Sequence, residues 1–131
     1  MLRTYSKTIS ATTGNPIVFN TNKILTNNSV SHSAGSSDIS VNSPGYYFVT
    51  LDLSATIGTT GEASIQLFAD GVAIPDALIT SNFTAGSNTN TSFSTIVKAT
   101  PGLTGQKVTL TVVPTADLTI ASIALGVNRL A

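Results

Sequence analysis

Acid–base, nucleophilic and metal chemistry rests largely on histidine, glutamate, aspartate, lysine and cysteine brought together, and this sequence supplies few of them. His32 is the single imidazole, Glu62 the single glutamate, and cysteine is absent. The five aspartates, Asp38, Asp52, Asp70, Asp76 and Asp117, are scattered along the chain. A zinc ion wants several ligands, so a lone His32 among serines reads as structural or solvent-facing. Glycoside hydrolysis needs two carboxylates astride the scissile bond, and Glu62 has no carboxylate near it in sequence. Asp70 and Asp117 are accounted for by turns. Without cysteine there are no disulfides and no thiolate metal sites. The expectation is a protein that is not an enzyme and carries no cofactor.

What remains is hydrogen-bonding chemistry. Sixteen Ser, twenty-one Thr and ten Asn occupy the 131 residues, while charged residues make up only 9%, against about 25% in an ordinary soluble domain. Three loops, 20–28, 57–61 and 84–90, hold the candidate binding residues Asn27, Asn28, Thr59, Thr60, Asn88 and Asn90, since loops on a rigid scaffold carry function. Such side chains suit a hydroxyl-rich ligand, and a host-surface carbohydrate is the natural class. Asn27, Asn82 and Asn90 each begin an Asn-x-Ser/Thr triplet, expected by chance in so Ser/Thr-rich a chain. Net charge is zero and no Lys/Arg cluster stands out in the sequence, which argues against nucleic acid and against an anionic membrane surface. No apolar run is long enough to span a bilayer, and the first twelve residues lack the apolar centre of a secretory signal.

The elements that must position these residues are β-strands. β-Branched residues are abundant, turn residues recur every 8 to 12 positions or so, and no segment keeps a helical period. Strands are expected over 4–11, 17–19, 30–32, 38–41, 46–55, 62–69, 72–74 with 77–83, 91–99, 107–113 and 118–130. Segment 20–28 reads as a loop with Ile24 and Leu25 as plugs into the core. Alternation puts Tyr47, Val49, Leu51 and Leu53 on one face and Ala63, Ile65, Leu67 and Ala69 on one face. Asp70-Gly71 is a strong hairpin signal, and Pro75 marks an edge strand or a bulge. Pro101-Gly102 and Thr104-Gly105 are further turns. One all-β domain spanning 1–131 follows, an antiparallel jelly-roll sandwich of eight to ten strands, with an immunoglobulin-like sandwich as the alternative.

Three blocks in order carry a resemblance. They are Pro16-Ile17-Val18-Phe19 with Ser31-His32; Ile39-Ser40-Val41 with Pro44-Gly45-Tyr46-Tyr47-Phe48-Val49; and Ile65-Gln66-Leu67-Phe68-Ala69-Asp70-Gly71 with Thr91-Ser92-Phe93-Ser94. Together they resemble the tumour-necrosis-factor-like family, which includes complement globular heads, heads of bacterial exosporium collagen-like glycoproteins, and similar heads in phage structural proteins. The resemblance implies a ten-stranded jelly roll assembled as a homotrimer. Tyr46, Phe48 and Phe68 lie opposite the core-facing residues of their strands and are the candidate subunit interface. Some relatives bind calcium, and Asp76 is the residue that could join such a site, but calcium takes about six to eight oxygens and no carboxylates cluster. No collagen-like repeat precedes the domain, so if Met1 is the natural start this is a free-standing head. That favours a virion component, made in the host cytoplasm, with other virion proteins as further partners. A carbohydrate- or receptor-binding adhesion head and a spore-surface head are the alternatives.

Overall fold

Ten strands form in the computed structural model, which describes residues 1–26, 29–99 and 107–130. They are β1 (Leu2–Ala11), β2 (Thr21–Leu25), β3 (Val30–Ser31), β4 (Ile39–Val41), β5 (Gly45–Ile57), β6 (Gly61–Ala69), β7 (Val72–Phe83), β8 (Thr89–Ala99), β9 (Val108–Pro114) and β10 (Leu118–Arg129). No helix occurs among the described residues. Two five-stranded sheets result, ordered β2-β1-β10-β5-β8 and β3-β4-β9-β6-β7. Every pairing is antiparallel. The chain passes repeatedly between the sheets, which is the jelly-roll arrangement.

Alternation explains which face of each sheet turns inward. On β5, Tyr47, Val49, Leu51, Leu53, Ala55 and Ile57 are all buried. Ala63, Ile65 and Leu67 of β6 and Val108, Leu110 and Val112 of β9 face them from the second sheet; Ala69 is only partly buried. The Tyr47 hydroxyl, inside this apolar layer, donates to the Ser43 carbonyl at 2.7 Å, so burial leaves no orphaned polar group there.

Two strands switch face partway, which their sequences did not announce. Leu2, Thr4 and Ser6 of β1 are buried, then Ala11; Leu118 and Ile120 of β10 are buried, then Ile123, Leu125 and Val127. Lys7 pairs with Ser122 and Ile9 with Ile120, so Thr8 and Ala121 are extra residues set opposite each other. Thr8 has φ 54, a left-handed conformation that a β-branched residue enters at a cost of about 1–2 kcal/mol. The paired bulge keeps both strands apolar-inward beyond the irregularity.

The edges depart from the sequence reading. Residues 17–19 form no strand: Ile17 N–H donates to the Val112 carbonyl, and Phe19 pairs with Ser36 in an isolated bridge. Both side chains are buried. Buried Ser6 holds this crossing, its hydroxyl donating to the Val18 carbonyl and accepting from Asn20 N–H, each at 2.8 Å. Residues 21–25, expected as loop, pair with β1 as an edge strand, and Ile24 and Leu25 are exposed rather than plugged into the core. As an edge strand β2 turns only Asn22 partly inward, onto His32, and its other side chains stay exposed. Asn27, Asn28 and the turns at Pro101-Gly102 and Thr104-Gly105 lie outside the described residues.

Pro75 sits within β7, an edge strand, beside a register shift in its pairing with β6. Both readings of that proline hold together. The Gln66 amide spans the irregularity, with Nε2 near the carbonyls of Ile74 (2.6 Å), Ala77 (3.2 Å) and Leu67 (3.0 Å). The Asp70-Gly71 hairpin has both residues at positive φ, 51 and 79.

Thr8→Gly relieves a side chain forced into the left-handed region and is expected to raise unfolding free energy by about 1 kcal/mol in urea melts. Gln66→Ala strands the bulge carbonyls and is expected to lower it by about 2 kcal/mol.

Candidate functional site

The outer face of the β2-β1-β10-β5-β8 sheet collects the side chains that alternation turns away from the core. Across β5 and β8, Tyr46 pairs with Lys98, Phe48 with Ile96, Thr50 with Ser94, Asp52 with Ser92 and Ser54 with Asn90. Across β10 and β1, Gly126 pairs with Arg3, Ala124 with Tyr5 and Ser122 with Lys7. At one end, Tyr46 is 46% exposed, Phe48 39%, Ile96 56% and Leu130 52%, and Leu130 N–H donates to the Tyr46 carbonyl at 2.7 Å. Four large apolar side chains thus stand in water at one corner of a sheet.

The middle of this face is low because β10 carries small residues there. A Cβ added to Gly126 would meet Thr50 Oγ1 at 2.9 Å and Arg3 Nη1 at 3.4 Å. Glycine leaves room for Arg3 to lie across β10 toward Asp52, which it approaches at 3.6 Å. Both groups are substantially exposed, so the pair contributes little by itself. Two depressions flank the Ser122 and Ala124 track. One, of about 400 Å³, gathers Arg3, Tyr5, Lys7 and Lys23; the other, of about 350 Å³, is lined by Asp52, Ser54, Asn90 and Ser92. The basic cluster missing from the sequence is therefore made by the fold. Arg3, Tyr5 and Lys7 alternate on one strand and could have been read as one face; Lys23 joins them only through the β1–β2 pairing.

The remaining sequence candidates disperse. Phe68 is half-buried on the outer face of the second sheet, paired with Ala73 and Thr111, away from Tyr46 and Phe48. Thr59 and Thr60 sit between β5 and β6 at the end where the β9–β10 turn also arrives. Thr60 Oγ1 accepts from Ala85 N–H at 2.9 Å, so two of the three candidate loops touch. An open groove of about 560 Å³ at this end is lined by Thr13, Thr59, Thr60, Glu62, Thr115 and Asp117. Asn88 lies in the adjoining 84–88 segment, while Asn90 has moved onto β8 and the sheet face.

His32 is buried. Its Nδ1 lies 2.5 Å from Asn22 Oδ1 and its Nε2 lies 2.8 Å from the Ser36 carbonyl. Asn22 Nδ2 donates to the His32 carbonyl at 2.8 Å, and the ring stands edge-on to Phe19. These contacts tie β2 to the β3–β4 loop, a structural employment for the imidazole. Asp76 Oδ2 accepts from Thr95 Oγ1 at 3.0 Å. Among the described residues, no group of three His, Asp or Glu side chains is placed to hold a metal ion.

Asp117 Oδ1 accepts from the Thr13 N–H at 2.7 Å and the Thr13 hydroxyl at 2.8 Å. These bonds favour the charged form and hold its carboxyl below the ordinary aspartate value. A lowered folded-state value means stability that is present above the unfolded value and is lost as pH falls through the folded one. Asp117→Ala is expected to melt lower than the parent at neutral pH, with the two curves converging on acidification below the carboxylate range.

No family model matches the chain, and no curated protein sequence does. Among solved structures, the globular domain of zebrafish complement 1qA protein is similar, with a TM-score of 0.71 and 12% identity. The match covers 99% of this chain and 96% of that one. At this identity the likeness concerns the fold: this chain has the jelly roll of a complement globular head.

Proposed function

We propose that the chain is a non-enzymatic assembly protein, a homotrimeric jelly-roll head that serves as a structural part of a bacteriophage virion, in its capsid, fibre or tail. The observation that carries the assembly reading is the exposed corner formed by Tyr46, Phe48, Ile96 and Leu130. Contiguous apolar surface of this kind marks an interaction site, and aromatic residues are favoured anchors in interface cores. The fold shared with a complement globular head supports the trimer. The near-absence of charge and the thin catalytic inventory fit a structural role, and the resemblance to phage structural heads supplies the virion setting. Its work is then done by surfaces: apolar contacts join the copies and an uncharged Ser/Thr/Asn exterior faces outward.

A second reading, adhesion to a carbohydrate, has one specific observation in its favour. The Thr59–Thr60 groove presents four threonine hydroxyls beside the carboxylates of Glu62 and Asp117, a set that can hydrogen-bond sugar hydroxyls. Binding on a glycan array that disappears in Thr59→Ala/Thr60→Ala supports it; no signal from the intact oligomer counts against it.

Light scattering after size exclusion tests the assembly. The parent is expected to elute at three chain masses. Phe48→Asp, which places a charge at the apolar corner without touching the core, is expected to weaken association by about 100-fold or more while leaving the melting temperature of the dissociated chain nearly unchanged. A parent that stays a monomer at high micromolar concentration removes the reading.

A further inference from the structure

Four connections meet at the end of the sandwich that holds the Thr59–Thr60 groove, and hydrogen bonds fix them before any ligand arrives. Thr13, just past β1, gives its N–H and its hydroxyl to Asp117 Oδ1 in the β9–β10 turn. Thr115 N–H donates to the Ser64 carbonyl at 2.9 Å, and Ser64 N–H donates back to Thr115 Oγ1 at 2.8 Å, which ties that turn to β6. Thr60 Oγ1 accepts from Ala85 N–H, which ties the β5–β6 connection to the β7–β8 one. Thr60 and Thr115 are acceptors in these bonds, so each hydroxyl keeps its hydrogen to donate. A site whose walls are already held loses little freedom on binding.

The lining is one-sided in charge. Glu62 and Asp117 bring two carboxylates to it, and among the described residues no Lys, Arg or His lines it. Neither acid is ion-paired among the described residues; the ion pair formed is Arg3 with Asp52. Both Thr13 bonds fall on Asp117 Oδ1, which leaves Oδ2 as an acceptor. Asp117 also borders a second depression of about 300 Å³ beside Ser10, Thr12 and Thr119, and Gly58 and Asp117 are common to the two.

We infer that the ligand of this groove is an amino-sugar oligosaccharide, a run of hexosamine units with free ammonium groups, lying across Asp117 from the groove into the adjoining depression. This rests on the adhesion reading above and names its ligand class. Sugar hydroxyls accept from Thr60 and Thr115, and ammonium groups donate to the carboxylates of Glu62 and Asp117, so charged donors meet charged acceptors. A uronic or sulfated sugar would set an anion against two carboxylates with no cation beside them, and like charges facing each other cost affinity. An N-acetylated sugar satisfies the hydroxyl donors but gives neither carboxylate a charged partner. Two depressions joined at Asp117 offer room for more than one ring, which assigns a chain of sugars rather than a single unit.

The test is titration calorimetry of the full chain with a glucosamine tetramer, its fully N-acetylated counterpart and a glucuronate tetramer. At low salt the parent is expected to bind the glucosamine tetramer about fivefold or more tighter than the N-acetylated one, the scale of two surface ion pairs, and to bind the glucuronate tetramer weakest. The margin is expected to close toward about 1 M salt, where exposed charges are screened. Glu62→Gln/Asp117→Asn removes both charges and keeps an oxygen for the Thr13 bonds; it is expected to bind the glucosamine and N-acetylated tetramers alike. Thermal melts confirm that the variant is folded; if the Asp117 change unfolds the chain, Glu62→Gln alone replaces it and is expected to narrow the margin. A parent that binds no sugar removes the adhesion reading and this inference with it. Sugar binding that Thr59→Ala/Thr60→Ala abolishes but that shows no preference for the amine overturns the amino-sugar assignment and leaves adhesion standing. So does a preference for the amine that survives unchanged in the folded charge-removed variant.

Discussion

A β-strand has two faces, and a two-sheet sandwich can bury only one face of each sheet. That constraint governs this molecule. β5 fills the interior with Tyr47, Val49, Leu51, Leu53, Ala55 and Ile57, and period-two alternation then forces Tyr46 and Phe48 outward. Ile96 is turned out in the same way beside Val97. The fold has no further layer with which to cover them. The proposed subunit contact would cover them and would also account for the sparse charge, since charged residues are depleted in interface cores.

The devices that keep the interior closed are all responses to the same period. Where β1 and β10 would drift out of phase with the core, an extra residue in each, Thr8 and Ala121, restores it, and Thr8 bears the backbone strain. Where β7 passes Pro75, the Gln66 amide takes up carbonyls that the ladder leaves. Where the chain crosses between sheets at 17–20, Ser6 supplies hydrogen bonds from inside. Each device spends a polar group or a strained torsion to keep one face of the strand turned to the core.

The uninterrupted strands were legible in the sequence, because alternation at 47–53 and 63–67 is a local property. The Asp70-Gly71 hairpin and the edge character of Pro75 were legible for the same reason. The bulges were not, since Thr8 and Ala121 are ordinary strand residues whose role is set by the partner strand. β2 was missed because its edge position spares it from needing an apolar face, so Thr21–Leu25 shows no alternation to read. Of the candidate interface, Tyr46 and Phe48 came from alternation and fall together with Ile96 and Leu130, whereas Phe68 emerges on the other sheet. The basic depression needed the β1–β2 register, which no short window encodes.

The central claim is that the outer face bearing Phe48 is covered by another copy in the working protein. Hydroxyl-radical footprinting measures that coverage side chain by side chain. The account predicts that, at micromolar concentration, Tyr46 and Phe48 in the parent are protected to nearly the level of buried Tyr47, and that Tyr46 becomes reactive in Phe48→Asp. Oxidation of Tyr46 and Phe48 in the parent at the rate of freely exposed aromatic side chains would contradict it.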